Sequence, residues 1–146
     1  MNFKRLFVCI FIPLFMGIVV GLITRPFMDY MSINKPVLAP PSVLFPIVWS
    51  LLYVLMGVSA YIVSSGFRVP SIYWTQLFVN GLWSIVFFVF KFRFLSFLLC
   101  VLLFVLVFRM IVQFRRINNV SGLLQIPYLI WVAFAGYLNL GIYILN

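Results

Sequence analysis

SIYWTQLFVNGLWSIVFFVF, residues 71–90, holds no charged side chain and is bounded by Arg68 on one side and by Lys91 and Arg93 on the other. A hydrocarbon core about 30 Å thick takes roughly 20 residues of helix to cross, which is the length of this run. Its apolar residues are continuous, whereas the strands of a membrane barrel alternate over about 10 residues; the run therefore reads as a helix. Gln76, Asn80 and Ser84 recur at every fourth position and share one helical face. Polar groups are costly in hydrocarbon and turn toward the interior of a bundle. The stretch thus implies a spanning helix with a polar stripe, and neighbouring helices for that stripe to face.

Outward from it the pattern repeats. Apolar runs at 6–24, 43–64, 94–114 and 122–145 join 71–90 as five expected spans. The chain is 66% hydrophobic and 8% charged, against roughly 45–50% and about 25% in soluble domains, and its mean hydropathy is +1.27. Five spans take about 100 residues of the 146, which leaves no room for a soluble catalytic domain. The reading is an all-α integral membrane protein: one domain over 1–146, a bundle of five transmembrane helices with a structured loop between the first two. The basic start at Lys4-Arg5 has the flavour of a leader, but the apolar run is long and no A-x-A cleavage site follows it. It is read as a retained helix.

The formal net charge of +9 comes from ten basic residues set against one acid, Asp29. The basic residues lie at the ends of spans, where they anchor helices in headgroups, and not in the clustered patch that nucleic acid requires. Lys4, Arg5, Arg68, Arg115 and Arg116 fall on one side, and Arg25, Lys35, Lys91 and Arg93 on the other. The positive-inside rule then leans toward a cytoplasmic N-terminus. Without histidine there is no imidazole base or ligand, and one carboxylate cannot make a hydrolytic pair. Cys9 and Cys100 lie in different runs with no metal or redox spacing.

The connection from Arg25 to Ser42 is long and carries Pro36, Pro40 and Pro41. Proline lowers the entropy lost on ordering, which suits a shaped lid; a stiff spacer is the plainer reading. Trp49 and Tyr53 share a face of the second run, and Tyr128, Trp131, Ala135 and Asn139 a face of the fifth. Tryptophan at span ends forms interfacial belts, and Trp74 fits that. Trp49 and Trp131 lie deeper, beside small residues that leave room for a flat partner, although simple packing accounts for them too. The polar stripe is open in the same way, between interhelical glue and ligand orientation. Gly17 and Gly21 form a GxxxG, a signal for close helix approach that does not say which helix approaches.

Three stretches together resemble the TspO/MBR family, the tryptophan-rich sensory proteins of bacteria and the mitochondrial translocator protein or peripheral-type benzodiazepine receptor. They are Lys35-Pro36 through Pro40-Pro41 to Trp49, Tyr53 and Gly57; Gln76-Leu77, Asn80, Trp83-Ser84 and Phe87-Phe88; and Pro127-Tyr128, Trp131, Ala135 and Leu138-Asn139. The resemblance implies a five-helix bundle, commonly a homodimer, with a pocket beneath the first loop. It implies a receptor or sensor that binds porphyrins such as protoporphyrin IX or haem, as ligand or substrate, with no resident cofactor. By the same matching Tyr30, Pro41, Trp49, Tyr53, Asn80, Trp83, Trp131, Ala135 and Leu138 would bind the ligand. Trp49 and Trp131 match the tryptophans tied to light-dependent porphyrin degradation in some members, so an enzyme is the alternative reading and a porphyrin or sterol carrier a further one. Arg25 and Lys35 are candidates to pair with propionates. A bacterial cell membrane is the expected location.

Two departures stand in the loop. Leu38 and Asp29 occupy positions where the family commonly has tryptophan, which removes aromatic surface from the lid. No basic residue follows Tyr137 or Tyr143, so the cholesterol-recognition pattern of animal members is missing.

Overall fold

The computed structural model describes residues 1–146 and is all helical. The long helices are α1 (Phe3–Thr24), α2 (Leu44–Ser64), α3 (Ser71–Phe88), α4 (Arg93–Ile117) and α6 (Ile126–Leu145), with a one-turn α5 (Asn119–Leu123) before the last. The expected run 122–145 is thus divided at Leu124-Gln125: Pro127, with no N–H to donate, sits in the first turn of α6. The expected run 71–90 ends as helix at Phe88, and Lys91 follows with φ 56°, a left-handed residue that turns the chain into α4.

Four helical stretches have the length and hydropathy of a membrane span. The exception is α3, whose 18 residues include the polar stripe. It is also the most enclosed, with Gln76, Asn80 and Trp83 among its buried residues. The outer helix is α1, where only Pro13 and Thr24 are buried, and Phe7, Phe11 and Phe15 stack in an outward row at 5.8 and 5.3 Å. Helix α1 packs on α2 and α3, α3 on α4, and α4 on α6, while α5 bridges α4 and α2.

The crossing of α1 and α2 has a local cause. Pro13 lacks the N–H that would bond the carbonyl of Cys9. Gly57 lies against that freed carbonyl and the Ile10 backbone so closely that a methyl there would come within 2.7 Å of the Cys9 oxygen. One turn further on, Gly17 receives the ring of Tyr53. The GxxxG therefore has its partner within the chain at Gly17, whereas Gly21 has open space beside it.

The loop is a lid docked on one side of the bundle. Pro36 packs on Gly141 of α6 so tightly that a side chain at Gly141 would displace it. Asn34 exchanges hydrogen bonds with Asn146 and Leu145, and the Tyr137 hydroxyl donates to the carbonyl of Val37. Asp29 accepts from Arg93 at 2.8 Å and lies 3.5 Å from Lys91. Leu38 is outward, at φ 74° in a tight turn closed by Ala39 N–H on the Pro36 carbonyl.

Candidate functional site

Beneath the lid lies a cavity of about 350 Å³, within the size range of small-molecule sites. Helices α1, α2, α3 and α6 and the lid all contribute to its wall, and no lysine, arginine or carboxylate lines it. Of the residues expected to meet a ligand, Tyr30, Trp49, Tyr53, Trp83, Trp131, Ala135 and Leu138 line this one space.

Two aromatic groups contribute to the wall. Trp49 stacks on Tyr53 at 5.7 Å and packs against Trp83 at 5.8 Å and Tyr128 at 6.1 Å. Trp131 meets Phe45 edge-on at 5.9 Å, and Phe45 meets Tyr30 at 5.2 Å. The Tyr30 hydroxyl donates to the Pro40 carbonyl at 2.6 Å, and burial pushes its phenol pKa above the usual value.

Behind this wall Gln76 and Asn80 of the polar stripe join a chain of hydrogen bonds, while Ser84 lines the cavity. Tyr53 donates to the Asn80 carbonyl oxygen at 2.8 Å, the Asn80 amide donates to the Tyr128 hydroxyl at 2.8 Å, and Tyr128 donates to Gln76 at 2.7 Å. A second network holds α3, α4 and α6 together: Trp83 and Ser96 both donate to Asn139 Oδ1, at 3.2 and 2.9 Å. In contrast, the Trp131 indole nitrogen is buried and has no partner. An unmet donor in an apolar wall costs free energy until something accepts from it.

Four expected contacts lie elsewhere. Asn80 is not in the cavity wall, because both ends of its amide are taken one layer behind it. Pro41 is exposed on the lid. The Lys35 ammonium is held by the carbonyls of Tyr30 and Ile33, 4.8 Å above the Tyr30 ring, and so does not face the cavity. Arg25 is exposed at the end of α1, one turn beyond Gly21, with its guanidinium unpaired. Conversely, α1 supplies a wall that the motifs did not mark as site: Leu14, Gly17, Ile18, Gly21 and Thr24. The signal for it was the glycine pair, which reads equally as packing.

The TspO/MBR family pattern matches residues 9–145. The chain belongs to the TspO/MBR family. It is 40% identical over 134 residues to Protein CrtK of Rhodobacter capsulatus, covering 86% of this chain and 83% of that one. It is 38% identical over 122 residues to Tryptophan-rich protein TspO of Archaeoglobus fulgidus, covering 80% and 79%. With Tryptophan-rich sensory protein of Cereibacter sphaeroides it shares 33% over 123 residues, covering 82% and 77%. The chain is accordingly an integral membrane protein of the TspO sensor and receptor type.

Proposed function

We propose that the cavity binds a flat, largely apolar tetrapyrrole of the protoporphyrin IX type. The observation that carries this reading is an uncharged, aromatic-walled cavity lined by three of the chain's four tryptophans, Trp49, Trp83 and Trp131. A macrocycle face gains about 0.5–1.5 kcal/mol per aromatic stack beyond burial, and Trp49, Trp131 and Trp83 offer such surfaces. Arg25, unpaired at the end of α1, suits a propionate reaching out of the apolar space. Haem, a flat macrocycle of the same kind, would be held by the same aromatic faces.

A second reading, light-dependent degradation, is favoured by Trp49 and Trp131 lining the same cavity. Their rings share no contact, so a bound macrocycle would meet them as two separate donors of electrons. The setting proposed is the bacterial cell membrane, with a cytoplasmic N-terminus and a homodimeric assembly. The orientation rests on the count of basic residues flanking the spans, five on the N-terminal side against four on the other.

The test is titration of the detergent-solubilised protein with protoporphyrin IX, followed by Soret absorbance in darkness and in light. A saturable shift that weakens about tenfold in Trp131→Phe is expected. Loss of the Soret band only in light and only with Trp131 present would make the protein an enzyme. Absence of a saturable shift would overturn the porphyrin reading.

A further inference from the structure

The face of α2 turned toward α1 carries Pro46, Ser50, Tyr53 and Gly57, spaced by four, three and four residues. Followed from the N-terminal side of the bundle toward the lid, this seam changes character. At Gly57 the helices are in backbone contact, with no room for a methyl group. At Gly17 the Tyr53 ring fills the gap. Beyond that level nothing lies within 4 Å of the place where a side chain of Gly21 would begin. Ile18, Pro46 and Ser50 are outward-facing there, yet each also lines the cavity. A residue that faces both the cavity and the exterior marks an opening. This one is at the level of the last two turns of α1, an apolar stretch of membrane-span length.

The lid side is built differently. Pro36 on Gly141, Asn34 with Asn146, Tyr137 on Val37, and Asp29 with Arg93 fasten the loop to α6 and to the α3–α4 turn. Arg93 also donates to the Phe87 carbonyl at 2.7 Å and lies 4.3 Å from the Phe87 ring; Phe87 is a wall residue of the cavity. Raising the lid would break its contacts with α6 and with Arg93 and expose polar backbone. Passage between α1 and α2 breaks none of them.

We infer that the cavity is loaded sideways from the bilayer, through the seam framed by Gly21 and Ile18 of α1 and Pro46 and Ser50 of α2, under a lid that stays docked. The molecules admitted are those that already partition into lipid: an apolar body narrow enough to pass between two helices, with any acidic edge trailing toward Arg25 at the headgroup level. Gly21 sets the width of the passage. The inference rests on the ligand-binding reading for what passes through, but the opening itself can be tested without a porphyrin.

The experiment uses the full chain carrying Trp74→Phe, reconstituted in phosphatidylcholine vesicles. Trp74 is outward-facing, so its removal leaves fluorescence from Trp49, Trp83 and Trp131, all in the cavity wall. The probes are a bilayer-partitioned nitroxide, doxylnonane, and aqueous acrylamide. Doxylnonane is expected to quench strongly and acrylamide weakly. Gly21→Phe should cut the doxylnonane quenching constant by about threefold or more, and Ser50→Phe should do the same from the α2 side. A Cβ at Gly21 has open space beside it and Ser50 is exposed, and retained far-UV helicity checks the fold. The lid variant Asn34→Ala/Tyr137→Phe should leave both constants unchanged. The inference is overturned if acrylamide quenches better than doxylnonane, if the lid variant raises quenching, or if both seam variants leave it unmoved. A closed seam with intact porphyrin binding would refute the route alone; an open seam with no porphyrin shift would refute the ligand alone.

Discussion

Asn80→Ala separates the two meanings that the polar stripe carries in the sequence. The side chain is 1% exposed, and it links Tyr53 to Tyr128 through hydrogen bonds of 2.8 Å each. Bonds of this kind inside a membrane are worth about 0.6 kcal/mol on average and up to about 1.7. Losing both therefore costs roughly 1–3 kcal/mol, and the void adds about 24 cal/mol for each Å³ that does not collapse. A total of about 2–4 kcal/mol is expected, read as a lower midpoint when the protein in mild detergent is titrated with dodecyl sulfate. Tyr53→Phe removes one bond and should cost about 1 kcal/mol. In the double-mutant cycle the two should couple by about the strength of their shared bond. Ligand affinity should move less than about threefold, or roughly 0.6 kcal/mol, because Asn80 stands behind the wall and only the seating of Tyr53 under Trp49 changes. If Asn80→Ala leaves the unfolding midpoint intact and weakens protoporphyrin IX by a hundredfold, the amide reaches the ligand, and the assignment of this network as glue between α2, α3 and α6 is refuted.

Gly57→Ala should destabilise by about 1–3 kcal/mol through overpacking, because its methyl meets the backbone of α1 at Ile10 and Cys9; an unchanged dodecyl sulfate midpoint would refute the backbone contact. Asp29→Asn should loosen the lid by about 1 kcal/mol, as expected for a partly exposed pair, and speed amide exchange across residues 29–35; unchanged exchange would mean that the Arg93 contact does not hold the lid. Tyr30 gives a pH dependence. Its folded pKa is raised above 10.0 by burial, so its neutral phenol and the bond to Pro40 contribute fully below pH 10.0. That contribution is lost as pH rises through the folded value. Phenolate absorbance should therefore show a tyrosine titrating late, missing in Tyr30→Phe; an unaltered titration curve in that variant would count against its burial.

Much of this molecule follows from the order of its residues. Hydropathy and the spacing of charges place the chain in a bilayer as helices, because an uncharged run of bilayer length can satisfy its backbone there only as a helix. Four-residue spacing put Gln76, Asn80 and Ser84 on one face, and the loop and helix motifs identified the family. Spacing does not say how far a helix is rotated about its axis or which residue, many positions away, sits opposite. Asn80 meets Tyr53 and Tyr128 across 27 and 48 residues, so its place behind the wall was decided by packing. The same holds for Lys35, whose ammonium is taken up by loop carbonyls, and for Asp29, which replaces lid aromatic surface with an ion pair to Arg93. Gly17 and Gly21 are equivalent as a motif; one is closed by Tyr53 and the other is open, because α1 and α2 meet at Gly57 and part toward the lid. Sequence by itself determined the solvent, the helices and the family, since these depend on local chemistry and length. Which side chains face the cavity, and where it opens, came only from the tertiary structure, since those depend on the relative rotation and splay of helices that touch at a few points.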